Sequence, residues 1–178
     1  MNIHIRPFRP QDQMPLHAAV RDSIEHLSAW LPWCTADYSI DDSRDWIAYT
    51  ETMWFEQREF HFVIEAAATG DFLGGVGIND ITRKYQLGRL GYWVRRSRVR
   101  RGIAAAAGLQ AARYAFEQLR LVRLEIEIAE DNHASRGVAE KIGAVYDGLY
   151  CDKLKLHGKP VAAHCYSLVP GDLDNRID

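Results

Sequence analysis

Apolar and polar residues alternate from Ile3 to Phe8, a period of two that predicts a strand, and Pro10 ends it. Asp12 then stands where a helix cap belongs, ahead of Leu16, Val20, Ile24 and Leu27 at helical spacing. The run Leu27-Ser28-Ala29-Trp30-Leu31-Pro32-Trp33 is too aromatic for a plain solvent loop. A second helix is expected from Asp41 or Asp42, carrying Trp46, Ile47, Thr50 and Trp54 at helical spacing. Residues 60–65 read as a strand, Thr69-Gly70-Asp71 as a hairpin turn, and Phe72 to Ile81 as the return strand. Past a polar loop, Leu87 to Val94 reads as another.

A period of 3.6 takes over after Gly102. The helix expected from there to about Leu119 places Leu109, Ala112, Phe116 and Leu119 on one face. Val122 to Ile128 alternates as a strand, and Asn132 leads a short helix that stops at Gly143. Tyr146 to Leu168 reads as two strands around His157-Gly158-Lys159. No repeat, low-complexity tract or linker interrupts this order of strand, two helices, three strands, helix, strand, helix and two strands. The expectation is one mixed α/β domain spanning residues 1–178.

Composition narrows the class. At 178 residues, with 47% hydrophobic and 26% charged positions, the chain is long enough for a substantial core. A formal charge of −2 provides no global field for nucleic acid, so any basic function is local. The three cysteines, Cys34, Cys151 and Cys165, are odd in number and scattered, which argues for a reducing compartment and against a disulfide framework or structural zinc. The beginning of the chain has no apolar signal core, and no run approaches the ~18 apolar residues of a membrane span. These features fit a cytoplasmic enzyme or binding protein with no membrane contact.

The chemistry concentrates where Gly91-Tyr92-Trp93-Val94 leads into Val99-Arg100-Arg101-Gly102-Ile103-Ala104. A strand, an arginine-rich loop and a small-residue helix follow in immediate succession. Such a junction offers free backbone N–H groups and a helix N-terminus to an anion, and a glycine lets a phosphate approach the main chain closely. Arg95, Arg96, Arg98, Arg100 and Arg101 can equally form a solvated face. The side chains of Tyr92 and Trp93 read as ordinary core aromatics. Asn132 with Ser135 is a helix N-cap pair. Glu125 and Glu127 share one face of their strand, where they reach a cleft or pair with Arg123 or Lys141. Gly74-Gly75-Val76-Gly77 precedes more strand rather than a helix, so it lacks the context of a dinucleotide fingerprint. His26, His61, His133 and His164 lack metal-ligand spacing and read as structural or surface residues, with His133 also a site candidate because it adjoins Asn132, so no metal is expected. Cys34 has no sequence partner that would make it an acyl carrier.

The order of elements and these motifs together resemble the GNAT (Gcn5-related) N-acetyltransferase superfamily, and within it the RimJ/RimL type. The resemblance runs from Ile5-Arg6-Pro7-Phe8 and Trp30-Leu31-Pro32-Trp33 through Gly91-Tyr92-Trp93-Val94, Arg101-Gly102-Ile103-Ala104 and Asn132-His133-Ala134-Ser135. It continues over Val138-Ala139-Glu140-Lys141-Ile142-Gly143-Ala144, Leu156-His157-Gly158-Lys159 and Tyr166-Ser167-Leu168. It implies an α/β (α+β) fold with a mostly antiparallel sheet splayed between its fourth and fifth strands, and acetyl-CoA as co-substrate in the gap. By the same resemblance, Val99, Arg100, Arg101, Gly102, Ile103 and Ala104 hold the phosphates, while Trp93 and Val94 meet the pantetheine arm. Val94 N–H is the candidate to polarise the thioester carbonyl. Asn132 contacts the cofactor, and Ser135 is the candidate general acid. Glu125 or Glu127 is the candidate base, and a dimer is the largest assembly implied.

Several positions depart from the family pattern. Val99 replaces the first loop anchor, Arg89 stands where a glutamate is often found, and Ala139 occupies the slot of a frequent tyrosine. Leu154 and Ala162 replace acidic residues of the terminal hairpin. An α-amine has pKa ~8 and a lysine amine ~10.4, so a site without a strong base leans toward peptide or protein N-termini. Trp30 and Trp33 either wall the acceptor or fix the loop as core residues. The alternatives are a small-amine acetyltransferase, with Asp37, Asp41, Asp42 and Asp45 as its acidic cluster, and a catalytically silent acetyl-CoA-binding regulatory module.

Overall fold

The computed structural model describes residues 2–174. Seven strands are present: β1 (Ile3–Pro7), β2 (Phe60–Ala66), β3 (Phe72–Thr82), β4 (Leu87–Val94), β5 (Arg123–Ala129), β6 (Val145–Leu156) and β7 (Lys159–Leu168). They form one sheet in the order β1-β2-β3-β4-β5-β7-β6. Every neighbouring pair is antiparallel except β4 and β5, which run parallel. That parallel pair joins only at Leu87–Arg123, Gly88–Leu124 and Arg89–Glu125. Beyond Arg89 the two strands part, and the expected mixed, splayed sheet is what the chain forms.

Directly opposed residues share a sheet face. His61, Gly77 and Gly91 therefore form a row on one face, and Phe62, Val76 and Tyr92 form a row on the other. Helix α4 (Ile103–Glu117) covers the second face. Its fully buried stripe is Ala107, Ala111, Ala112 and Ala115, while Leu109 and Leu119 are only partly buried. The apolar face is thus rotated from the one expected. Small side chains bring the helix close to the sheet, and the leucines flank that contact rather than fill it.

The first face is covered by α1 (Gln13–Arg21) and α3 (Ile40–Phe55), whose Leu16, Val20 and Ile47 pack with Val63 and Phe72. The single helix expected up to Leu27 is broken into α1 and α2 (Ile24–Leu27). Ser23, buried at the break with φ −121°, donates from Oγ to Ala19 O at 2.6 Å and accepts from Arg96 N–H at 2.9 Å. This serine exchanges helix continuity for a bond to the arginine loop.

Asp12 makes no side-chain cap. Its carboxylate accepts from Arg6 at 2.7 and 2.8 Å and from Arg9 N–H at 2.8 Å. The cap of α3 is Ser39 rather than Asp41 or Asp42, with Asp42 closing a reciprocal capping box. Helices α5 (His133–Lys141) and α6 (Pro170–Asp174) complete the domain. The last lies outside the expected elements, although Pro170 occupies its first position and Asp172 accepts from Val169 N–H at 2.9 Å.

Candidate active site

The parting of β4 and β5 opens a cleft of about 830 Å³ between the strands, α5 and the start of α4. Trp93, Val94, Val99, Arg100, Gly102, Ile103, Ala104, Asn132 and Ser135 all line it; Arg101 does not. Arg95 N–H donates to Leu73 O at 2.8 Å on the β3 side. Peptide groups alternate along a strand, so the Val94 N–H turns the other way, into the gap. Gly102 caps α4 at φ +74°, in the left-handed region that favours glycine. No side chain caps the first turn and none of its residues is acidic, so its amides are available to an anion.

The arginine loop divides its labour. Arg95 pairs with Asp22 at 2.8 Å and Arg98 with Asp71 at 3.4 Å, which anchors the loop to the body of the domain. Arg96, Arg100 and Arg101 have no carboxylate partner among the described residues. Lys141 Nζ approaches the position a Gly102 side chain would take, to within 3.7 Å. Positive charge therefore converges on the open end of α4, where a pyrophosphate can be held.

At the other wall, Asn132 caps α5 by accepting from Ser135 N–H at 3.1 Å. Ser135 Oγ donates to Tyr92 Oη at 3.2 Å, and the Tyr92 hydroxyl donates to Ser135 O at 3.0 Å. Burial pushes the Tyr92 phenol up to about 12, against the opposing hydrogen bond from Ser135, so it stays protonated near neutral pH. Tyr92 is therefore more than a core aromatic, because its hydroxyl reaches across the cleft to the serine. Ala139 is fully buried and supplies no donor.

The two glutamates separate. Glu125 turns to Arg123 at 3.3 Å and does not line the cleft. Glu127 lines it, with a side chain only 3% exposed, and is held by Arg89 and Lys153, each at 3.1 Å. Two cations compete for its lone pairs.

A second cavity of about 560 Å³ lies across β4, under α1, α3 and the aromatic loop. Phe8, Tyr38, Trp46, Tyr49 and Trp93 wall it, with Asp42 and Asp45 on its border. Trp33, 46% exposed, lines this cavity and meets Trp93 edge-on at 6.1 Å, whereas Trp30 lines the first cleft. The cavities share Leu31, Gly91, Tyr92 and Trp93. A Cβ at Gly91 would meet nothing within 4 Å, so the border between them is open.

The family model for the acetyltransferase (GNAT) domain matches residues 2–145. The chain belongs to the GNAT acetyltransferase family. It is 29% identical over 170 residues to YdaF of Bacillus subtilis (strain 168), provisionally named a ribosomal N-acetyltransferase, covering 94% of this chain and 91% of that protein. A structure from Vibrio cholerae, provisionally named a ribosomal-protein-serine acetyltransferase, superposes with TM-score 0.84 at 26% identity over 96% of this chain and 95% of that one. RimL, described as a ribosomal L7/L12 alpha-N-protein acetyltransferase in complex with coenzyme A, shares the fold with TM-score 0.88 at 19% identity, covering 98% and 97%.

Three histidines of this acetyltransferase border the two cavities. His26 and His133 line the first cleft, and burial with nearby Arg96 lowers the proton affinity of His26. His61 lines the second cavity, buried against Trp46 at a ring separation of 4.8 Å. The signal available in the sequence is the glycine pair Gly75 and Gly77 in a strand. A Cβ at Gly75 would stand 2.7 Å from Trp93 Nε1, and one at Gly77 would collide with His61 Nδ1. Those glycines are seats for two rings. Among the described residues no helix is long and apolar enough to cross a membrane.

Proposed function

We propose that this acetyltransferase moves the acetyl group of acetyl-CoA to the α-amine of a protein or peptide N-terminus by direct attack in a ternary complex. The observation that carries this reading is the junction of two cavities at Gly91. One has the anion-binding end of α4, the other an aromatic wall with acidic residues on its border. A donor and an acceptor held on opposite sides of that junction gain the proximity that direct transfer needs. Acetyl-CoA supplies the activated acetyl thioester.

The chain's own groups take the remaining tasks. Val99 to Ala104 and Lys141 hold the phosphates, and Trp93, Val94 and Asn132 hold the pantetheine arm. Val94 N–H polarises the carbonyl, a contact of the kind worth ~3 kcal/mol in other enzymes. Ser135, oriented by Tyr92, protonates the departing sulfur. A covalent relay through Cys34 is disfavoured because it is buried in the core, where burial pushes its thiol up. The α-amine is favoured over lysine because its lower pKa demands less of a base. The names of the relatives point the same way.

The aromatic walls of the second cavity, with Asp42 and Asp45 on its border, favour a second reading, acetylation of a small apolar amine. Thiol release from acetyl-CoA against peptides with free N-termini, N-blocked lysine peptides, polyamines and benzylamine decides between them. Turnover confined to free N-termini supports the first reading; turnover of benzylamine or polyamines alone replaces it with the second.

A further inference from the structure

An acceptor ammonium must lose a proton before its nitrogen can attack, and the carboxylates bordering the two cavities are engaged elsewhere. Glu127 is gripped by Arg89 and Lys153. Asp42 closes the Ser39 capping box, and Asp45 is exposed and paired with Arg44 at 3.1 Å. His61 differs from all three. Its Nε2 lies 2.7 Å from Glu59 Oε2, which also accepts from the Tyr49 hydroxyl at 2.9 Å. A carboxylate can only accept, so Nε2 carries the proton and Nδ1 presents a lone pair.

Nδ1 has no hydrogen-bond partner among the described residues and lies over Gly77. Gly77 is paired in register with Gly91, above which the space is open. Strands are ~4.8 Å apart, so His61 stands about 10 Å from Gly91 along the backbone, a span that its ring and an amine, directly or with one water, can bridge. Beside this lane Asn79 Oδ1 is buried without a partner, a second acceptor bordering the same cavity. Two unpaired acceptors within aromatic walls fit a group with several N–H donors.

We propose that His61, oriented by Glu59, is the general base that receives the acceptor's proton at Nδ1. This rests on the reading that a primary amine is acetylated from the second cavity. The ammonium gives one proton to Nδ1, its nitrogen bonds the acetyl carbon, and the carbon–sulfur bond breaks. Sulfur leaves with the Ser135 proton, the second nitrogen proton restores that hydroxyl through solvent, and the imidazolium returns its proton to water. The balance is one proton released per transfer.

The groups facing His61 are Glu59 at the foot of its own strand, Trp46 and Tyr49 from α3, and Asn79 from β3. Asp42 and Asp45 border the cavity, and Arg58 and Asp80 act on Tyr49 from outside. Burial lowers the proton affinity of His61 below that of an ordinary histidine, and Glu59 opposes this only in part. The ring is therefore neutral and ready to accept at pH 7.

The test is His61→Gln, with Glu59→Gln as companion, assayed on a peptide with a free N-terminus and on benzylamine in parallel. The expected result is a kcat at pH 7 reduced about 100-fold or more, with unchanged acetyl-CoA affinity and loss of the acidic limb of the kcat profile. Glu59→Gln should lose less and move that limb to lower pH, because the carboxylate raises the proton affinity of His61. A His61→Gln kcat within threefold of wild type, with the limb intact, overturns the proposal. If benzylamine turns over and the peptide does not, the N-terminal reading fails while the base is still measured. Nitrogen NMR of the acetyl-CoA-bound protein reads the tautomer without any acceptor: protonated Nε2 supports the assignment, and protonated Nδ1 overturns it.

Discussion

The two cavities that meet at Gly91 are built from different materials. The cleft beside α4 presents mostly main chain: the amides at the open end of the helix, the Val94 N–H turned into the gap, and glycine or alanine along its wall. The second cavity relies on side chains: aromatic walls, a buried histidine and acidic residues on its border. A main-chain site is insensitive to side-chain identity so long as the backbone path is kept. A side-chain site changes its ligand with each substitution. The fold can therefore keep one donor while varying the acceptor.

The largest break should come from the backbone of the cofactor half. Gly102→Val forces a branched residue into φ +74° and closes the approach to the first turn of α4. Acetyl-CoA binding by calorimetry should weaken about 100-fold, equivalent to ~2.7 kcal/mol. Unchanged affinity would remove the phosphate site from α4.

Gly91→Val cuts the two halves apart. The position is a strand residue with open space above it, so thermal stability should be kept or raised. Acetyl-CoA affinity should hold while kcat/KM for the acceptor falls about 30-fold, an order-of-magnitude expectation for a blocked approach. An unimpaired kcat/KM would show that the acceptor reaches the thioester by another route.

Ser135→Ala should lower kcat roughly tenfold with little change in acetyl-CoA affinity. Tyr92→Phe should act through the same bond, so the double variant should lose no more than the worse single one. Additive losses in this cycle would separate the two residues.

The smallest effect is on stability against pH. The proton affinity of His61 is lowered in the folded state, so the unfolded chain binds its proton first as pH falls. Stability should drop below the ordinary histidine range, near pH 6.5, by at most ~1.4 kcal/mol per pH unit for this one group. In denaturant titrations between pH 7 and pH 5, His61→Gln should flatten that slope. An unaltered slope would assign it to another group.

Much of the cleft beside α4 is legible along the chain. Gly102 followed by small residues marks a close approach, Asn132 before Ser135 marks a cap, and alternation places β4 ahead of the loop. The misreadings share one physical origin. Ser23 looks compatible with a continuing helix, but its hydroxyl bonds Ala19 and Arg96, and the second partner lies far along the chain. Leu109 looks like core because it is large, but the sheet selects the alanine stripe for close packing. Glu127 does line the cleft, but its pairing with Arg89 and Lys153 from two other strands is equally invisible along the chain.

The second cavity is scarcely legible for the same reason. His61 has no nearby sequence partner except Glu59, two positions away and just outside β2. Only the register β2–β3–β4 lines His61 up with Gly77 and Gly91, and only the packing of α3 buries it beside Trp46. By itself the sequence determined the order of elements, the glycine turn ahead of α4 and the family, because local periodicity, caps and glycine positions are properties of neighbouring residues. The tertiary structure alone decided which carboxylates are neutralised, which hydroxyl Ser135 meets and which histidine faces the open lane, because each depends on residues brought together across strands from distant parts of the chain.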